Sequence, residues 1–320
     1  MSAPLIIGLP SKGRLKEQVE AWLSDCGFEV GSGGGGRGYT AGVGSLPGAQ
    51  VQFLSAAAIA SALEAGDIHL GVTGEDLMRE LGETIERRVM MLRPLGLGRA
   101  DVVVAVPQSW LDVETMADLE EVAQAFLART GGRIRVATKY AALTRAFFSR
   151  LGIADYRIVL SEGATEGVPA AGAAELIVDI TTTGATLAAN HLKVLQDGVI
   201  LKSQAQLAAA LRAKWTAHQM AVARRLLSVV EARARARCLA TLAWPAEQDK
   251  VAQSSTERYL ARGASRRANG LLLENKDLID ASQSLAAAGV GPVTALRPEY
   301  VFDPQCAGAD NLVAALEREI

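Results

Sequence analysis

The sequence predicts an α/β protein that ends in a smaller α+β module. Three observations carry that reading. Short apolar runs stopped by Pro, Gly or Thr alternate with stretches whose apolar residues recur at helical spacing, the pattern of parallel α/β sheets. Hydrophobic residues make up 49 % of the chain but aromatics only 5 %, so the core must be built from Ala, Val, Leu and Ile, which suits strands covered by small-residue helices. After Arg237 the pattern changes, and a separate, smaller set of strands and helices begins. A length of 320 residues leaves room for two or three domains.

Leu5 to Leu9 is an apolar run ending at Pro10 and reads as a buried strand. The loop Pro10-Ser11-Lys12-Gly13-Arg14 leads to Leu15, Val19, Trp22, Leu23 and Cys26 at helical spacing, with Gly27 as the stop. Gly31 to Gly38 is a Gly-rich loop or hairpin tip. Val51 to Leu54 is a second strand, Ile59 to Ala65 a helix capped by Gly66, and Ile68 to Val72 a third strand running into Thr73-Gly74-Glu75-Asp76 and another helix. Strands at Asp101 to Val106, Arg133 to Ala137, Tyr156 to Leu160 and Glu175 to Ile180 alternate with helices at Asp118 to Arg129 and Thr144 to Leu151. A helix is expected from about Ala185 to Leu195. A long amphipathic helix follows, with Leu207, Leu211, Trp215, Val222, Leu226 and Val230 on one face and Arg224, Arg225, Arg233, Arg235 and Arg237 on a solvated basic face. Beyond it, Cys238 to Trp244, Gly270 to Leu273 and Val293 to Leu296 read as strands; Glu247 to Leu260, Asp277 to Ala288 and Asn311 to Glu319 read as helices.

The formal net charge of −2 gives no global basic field for nucleic acid. Cys26, Cys238 and Cys306 are far apart and lack C-x-x-C spacing, so neither a disulfide framework nor a zinc site is indicated, and reduced thiols of a cytoplasmic protein are expected. Met1 to Pro10 has no basic leader region, and no stretch approaches the ~18 apolar residues that span a membrane.

The chemistry concentrates at Leu176 to Leu187. A buried strand ends in Asp179, then Thr181, Thr182, Thr183 and Gly184 lead into a helix. Threonine hydroxyls and free amides at a helix start form an anion pocket, and glycine lets the backbone approach a phosphate. Asp179 can accept hydrogen bonds from ribose hydroxyls or hold Mg²⁺. The segments Leu70 to Leu77 and Val178 to Leu187 both run strand, Thr/Gly turn, helix. Two similar lobes, each offering a helix N-terminus to a shared cleft, follow from that repeat.

Asp179, Thr183, Gly184, Thr186, Leu187 and Asn190 together resemble the Asp-x-x-x-Thr-Gly-x-Thr-Leu-x-x-Asn loop with which ATP phosphoribosyltransferases bind phosphoribosyl pyrophosphate (PRPP). Lys12-Gly13-Arg14-Leu15, Gly71 to Leu77, Arg135 to Tyr140 and the Gly163, Glu166, Pro169, Gly172 series resemble further motifs of that family, in the same order along the chain. The resemblance covers roughly residues 5 to 237. It implies a two-lobed, periplasmic-binding-protein-like (type II) catalytic core with a small C-terminal α+β (βαββαβ-like) domain. The expected division is lobe I from 1–100 plus 196–236, lobe II from 101–195, and a regulatory-like domain from 237–320, with chain crossings near 98–107 and 186–200.

The implied reaction is attack of adenine N1 of ATP on the anomeric carbon of PRPP, with pyrophosphate leaving. The 5-phosphate would sit on Thr182, Thr183, Gly184, Ala185 and Thr186; Asp179 would face the ribose, with Glu162 and Glu166 beside it or holding Mg²⁺. Lys12, Arg14 and Arg37 would face pyrophosphate or the ATP phosphates. Gly13, Gly74, Glu75, Asp76, Thr138 and Tyr140 would line the ATP side, with Lys139 at the cleft wall. No nucleophilic side chain is needed, so His69, His191 and His218 need no catalytic role. One departure stands out: many members carry an arginine just before the second helix, where this chain has Leu54-Ser55-Ala56. The partners implied are ATP and PRPP, a dimer-based homo-oligomer up to a hexamer, histidine as feedback inhibitor, and in the short form a separate regulatory subunit. The alternatives are another PRPP-dependent phosphoribosyltransferase, disfavoured because Val178 and Ile180 flank Asp179 where those enzymes carry adjacent acids, or a non-catalytic binding or regulatory protein of the same bilobal fold.

Overall fold

The computed structural model describes residues 3–31 and 40–318. It divides into two compact units, one running to Gln219 and one from Met220 to Glu317. In chain order the first unit begins β1 (Leu5–Pro10), α1 (Gly13–Asp25), β2 (Thr40–Gly42), β3 (Ala49–Leu54), α2 (Ala56–Ala65), β4 (Leu70–Gly74), α3 (Glu75–Glu80) and β5 (Val89–Pro94). It continues β6 (Ala100–Pro107), α4 (Met116–Thr130), β7 (Ile134–Thr138), α5 (Ala141–Arg150), β8 (Tyr156–Leu160), β9 (Leu176–Thr181), α6 (Ala185–Ala189), β10 (Leu192–Ser203) and β11 (Ala205–Ala210). α7 (Ala217–Cys238) leads into the second unit, which holds β12 (Leu239–Ala243), α8 (Asp249–Leu260), β13 (Ser265–Arg267), β14 (Gly270–Glu274), α9 (Leu278–Ala287), β15 (Thr294–Leu296) and α10 (Ala307–Arg318).

The first unit is two-lobed. One sheet has the order β2-β3-β1-β4-β11-β5, the other β10-β6-β9-β7-β8. Both are mixed rather than purely parallel: β1 is parallel to β3 and β4, whereas β11 is antiparallel to β4 and β5, and β6 is antiparallel to β9 and β10. The chain leaves lobe I after Pro94 and returns at Gln204, later than the 186–200 expected, because 192–203 is a strand. The two crossings are tied together. Leu95 N donates to Ala205 O and Ala205 N to Leu97 O, both at 2.9 Å, and Gly96 N donates to Gln204 Oε1 at 3.0 Å.

Lobe I packs around Ile59, Leu63, Ile68, Met78, Val89 and the alanines of β11. Ser55 caps α2 by accepting from Ala58 N at 3.2 Å, and Gly66 ends it in the left-handed conformation with φ 82°. Glycine at position 71 is required by that helix: a Cβ there would lie 2.7 Å from Ile59 Cγ2. Lobe II has cores on both faces of its sheet, one around Val104, Tyr140, Phe148 and Val178 and one around Val103, Ala137, Ile177 and Leu187.

Several expected elements change. The helix expected from Ala185 to Leu195 is only five residues, and Leu192 onward is a bulged strand. Leu207 belongs to β11 and not to the long helix, which starts at Ala217. Every residue of β11 is buried, so it lies between neighbours on both edges and between layers on both faces, a place where alanine's helix propensity is overruled by packing. β5 and β13 had no counterpart in the expectation.

The second unit runs β12-α8-β13-β14-α9-β15, the βαββαβ pattern, with an antiparallel sheet ordered β13-β14-β12-β15. Leu242, Trp244, Tyr259, Leu271, Leu273, Ala281 and Leu285 form its core. The compact unit starts at Met220 rather than 237. Of the α7 arginines, Arg224, Arg225 and Arg237 are exposed, as a solvated face implies, while Arg233 and Arg235 are partly buried: Arg224 pairs with Asp310 at 2.6 Å, Arg233 donates to Glu299 O at 2.9 Å, and Arg235 pairs with Glu231 at 3.0 Å.

Candidate active site

β9 ends at the cleft, and its period of two puts Asp179 and Thr181 on one face. Beyond Thr181 the chain turns through Gly184, whose φ of 76° is the left-handed conformation that glycine adopts at little cost. Thr181 Oγ1 accepts from Gly184 N at 2.8 Å and Thr183 Oγ1 from Ala185 N at 3.4 Å, so the loop is held by its own hydroxyls. Thr182 Oγ1 donates to Arg99 O at 3.4 Å, which fixes the loop to the first lobe crossing. α6 is too short for the long aligned dipole that the sequence suggested, which leaves hydroxyls and individual amides as the groups able to meet an anion.

A cavity of about 440 Å³ lies over this loop, and among its lining residues are Arg14, Glu166, Asp179, Thr182, Thr183 and Thr186. Arg14 comes from the start of α1 in lobe I, where Gly13 with φ 76° turns the chain into the helix. Asp179 is half-buried, and burial pushes its carboxyl above the usual value. The bond from Ile180 N at 2.8 Å and the Lys139 charge oppose that shift, and Glu166 adds to it. Asp179, Glu166 and Lys139 therefore interact electrostatically at the cleft. Glu162 is exposed and does not line the cavity, nor does Lys12, which is exposed at the start of α1. Arg37 lies outside the described residues.

The residues expected on the ATP side behave differently. Tyr140 is 1 % exposed, and its hydroxyl donates to Asp76 Oδ2 at 2.7 Å. Asp76 Oδ1 accepts from Ser203 Oγ, also at 2.7 Å, and Ser203 Oγ accepts from Asp76 N at 3.0 Å. Thr138 is fully buried and its Oγ1 accepts from Tyr140 N at 2.8 Å. Glu75 accepts from Arg79 at 2.7 Å and from Gln206 at 2.9 Å. A Cβ at Gly74 would overlap the Asp76 carboxylate. Asp76, Tyr140 and Thr138 thus form a buried node joining α3 of lobe I to α5 of lobe II. Glu80 adds to it by accepting from Ala142 N at 2.8 Å and Leu143 N at 3.0 Å. Burial first, and then the Asp76 charge, push Tyr140 well above the usual phenol range, so it stays a donor.

A family model described as ATP phosphoribosyltransferase (HisG) matches residues 55–231. An ATP phosphoribosyltransferase of Caulobacter vibrioides is 63 % identical over 320 residues, covering 100 % of both chains. One of Bradyrhizobium diazoefficiens is 55 % identical over 236 residues, 74 % of this chain and 73 % of its own. The chain belongs to the ATP phosphoribosyltransferase family. Among solved structures, the ATP phosphoribosyl transferase (HisG:HisZ) complex from Thermotoga maritima shares the fold at TM-score 0.52 and 23 % identity, over 71 % of this chain and 98 % of that one.

Ser55, at the position of the missing arginine, is committed to capping α2. Sequence reasoning missed Arg99, just before β6, and Lys202, in β10, which flank the threonine loop from segments not adjacent to it in sequence. No cluster of three or more His, Cys, Asp or Glu that could hold a metal occurs among the described residues. No helix among them is long and apolar enough to cross a membrane.

Proposed function

We propose that this cavity binds PRPP for attack by adenine N1 of ATP, with the 5-phosphate on Thr182 to Thr186 and the ribose hydroxyls against Asp179. The observation that carries this assignment is a cavity lined both by a cation of lobe I, Arg14, and by Asp179 and the threonine loop of lobe II. The transition state is positive at the ribose and increasingly negative on the departing pyrophosphate. Asp179 and Glu166 sit where they stabilise the first charge, and Arg14 where it stabilises the second. Holding two polyanions in line lowers the barrier by as much as ~7–11 kcal/mol in favourable cases. No side chain needs to form a covalent bond.

Mg²⁺ commonly binds one or two carboxylates together with substrate phosphates, and Asp179 with Glu166 offers such a pair. Bound there, the ion would neutralise pyrophosphate charge. The βαββαβ unit supports a chain that carries its own histidine-responsive domain and assembles as a homo-oligomer, in place of a separate regulatory subunit.

The test is steady-state kinetics with ATP, PRPP and Mg²⁺, following phosphoribosyl-ATP by mass, with and without histidine. Thr183→Ala and Asp179→Ala should each raise KM for PRPP tenfold or more while KM for ATP moves about twofold, the effect of losing ~1.5–3 kcal/mol of charge-assisted hydrogen bonding. Small, equal changes in both constants would remove those residues from the PRPP site. Inhibition of the isolated chain by histidine supports the regulatory reading, and an unresponsive chain would end it.

A further inference from the structure

A second cavity, of about 380 Å³, adjoins the first and shares Ala100, Thr181 and Thr182 with it. Its remaining lining is Arg99, Asp101, Lys202, Ser203 and Gln204, all from the two crossings between the lobes. The sheet register explains the assembly. Asp101 pairs with Lys202 of β10 on one side and with Thr181 of β9 on the other, which sets Lys202, Asp101 and Thr181 in a row across three strands on one face. Arg99 lies two residues before Asp101, and its carbonyl already holds the Thr182 hydroxyl.

The charges in this cavity are uncommitted. Arg99 and Lys202 are both exposed, and neither side chain has an ion pair or hydrogen bond among the described residues. Arg79, Arg88 and Arg135, by contrast, are each held by a carboxylate. Two free cations beside a hydroxyl-rich loop form an anion site, and its continuity with the first cavity places it one group away from whatever occupies Thr182 to Thr186. We infer that Arg99 and Lys202 form a second subsite that takes the polyphosphate end of a substrate: the pyrophosphate of PRPP or the triphosphate of ATP. This inference rests on the PRPP reading of the first cavity. It also supplies cations to a site where the neutral Ser55, which caps α2, brings none.

Test variants are Arg99→Gln, Lys202→Gln, the double variant, and Arg99→Lys with Lys202→Arg as charge-preserving controls. KM for ATP, KM for PRPP and the inhibition constant for inorganic pyrophosphate would be measured, with thermal unfolding as a check on folding. The double variant should weaken one partner about tenfold or more, as loss of charge-assisted phosphate contacts implies, with little change in melting temperature and recovery in the controls. A raised KM for PRPP with matching loss of pyrophosphate inhibition identifies the pyrophosphate; a raised KM for ATP alone identifies the triphosphate. Constants within twofold of wild type, a change in kcat alone, or a loss equal in the charge-preserving variants would overturn the subsite. If Thr183→Ala still raises KM for PRPP in that case, only the subsite falls; if Thr183→Ala is also silent, the underlying PRPP reading fails with it.

Discussion

Replacing Tyr140 with Phe removes one oxygen and leaves the ring packed in the lobe II core. Its hydroxyl makes a 2.7 Å bond to Asp76 Oδ2, and both residues are buried. Asp76 Oδ1 keeps its bond from Ser203, but Oδ2 loses its donor. A hydrogen bond to a buried charged group contributes about 1.5–3 kcal/mol, and an orphaned carboxylate oxygen puts the loss toward the upper end. For a unit of roughly 220 residues, an unfolding entropy of about 2.1 cal/mol/K per residue converts ~2–3 kcal/mol into a fall in Tm of about 4–7 °C. Circular dichroism melts and urea titrations at pH 7 measure it. Asp76→Asn and the double variant complete a cycle, and the two changes should be non-additive by about 1 kcal/mol or more. The pH dependence carries a sign. Tyr140's folded pKa lies above its ordinary 10.0, so its contribution is complete below that value and declines as pH rises past it. The gap between wild type and Tyr140→Phe should therefore narrow in strong alkali. A Tm change under about 1 °C, or strict additivity in the cycle, would refute the claim that this bond joins the lobes.

Two further outcomes concern carboxylates of lobe II. Burial raises the Glu175 carboxyl, but the Arg135 hydrogen bonds, including 2.5 Å to Oε1, outweigh it and bring the group below its ordinary 4.5. Glu175→Gln should cost about 1–3 kcal/mol near neutrality, with the difference from wild type disappearing as pH falls below 4.5 through the lowered folded value, read by urea unfolding across pH. Asp179 sits above its ordinary 3.8, so on acidification it loses its charge earlier than an exposed aspartate would. KM for PRPP should rise in that acidic window in wild type, whereas Asp179→Asn should show a high KM with no matching rise; a parallel rise in both would assign the titration to another group.

The legible parts of the sequence were those with local signatures. The threonine loop, the Gly66 stop, the alternation of β6 to β9 with their helices and the βαββαβ module all follow from spacing within a dozen residues or so. What escaped depends on contacts far apart in the chain. Ala205 to Ala210 has the composition of a helix, and only its place between β4 and β5 makes it a strand. Asp76 and Tyr140 both stood in motifs, yet nothing local shows that their side chains bind each other 64 residues apart. Arg14 and Lys12 looked equivalent as sequence, and only the turn at Gly13 separates the one that lines the cavity from the one that does not. Arg99 and Lys202 carry no motif; register across β6, β9 and β10 brings them to the loop.

The strand order has a consequence for biosynthesis on the ribosome. β11 lies between β4 and β5, but it is made only after the whole of lobe II. When Pro94 emerges, β4 and β5 each present an open edge where their shared neighbour belongs, whereas lobe II has every strand of its sheet once Ser203 is out. The lobe that is translated first is therefore completed last. Until residue 210 appears, its two unpaired edges are the part of the nascent chain most open to wrong pairing, and the part a chaperone would have most reason to cover.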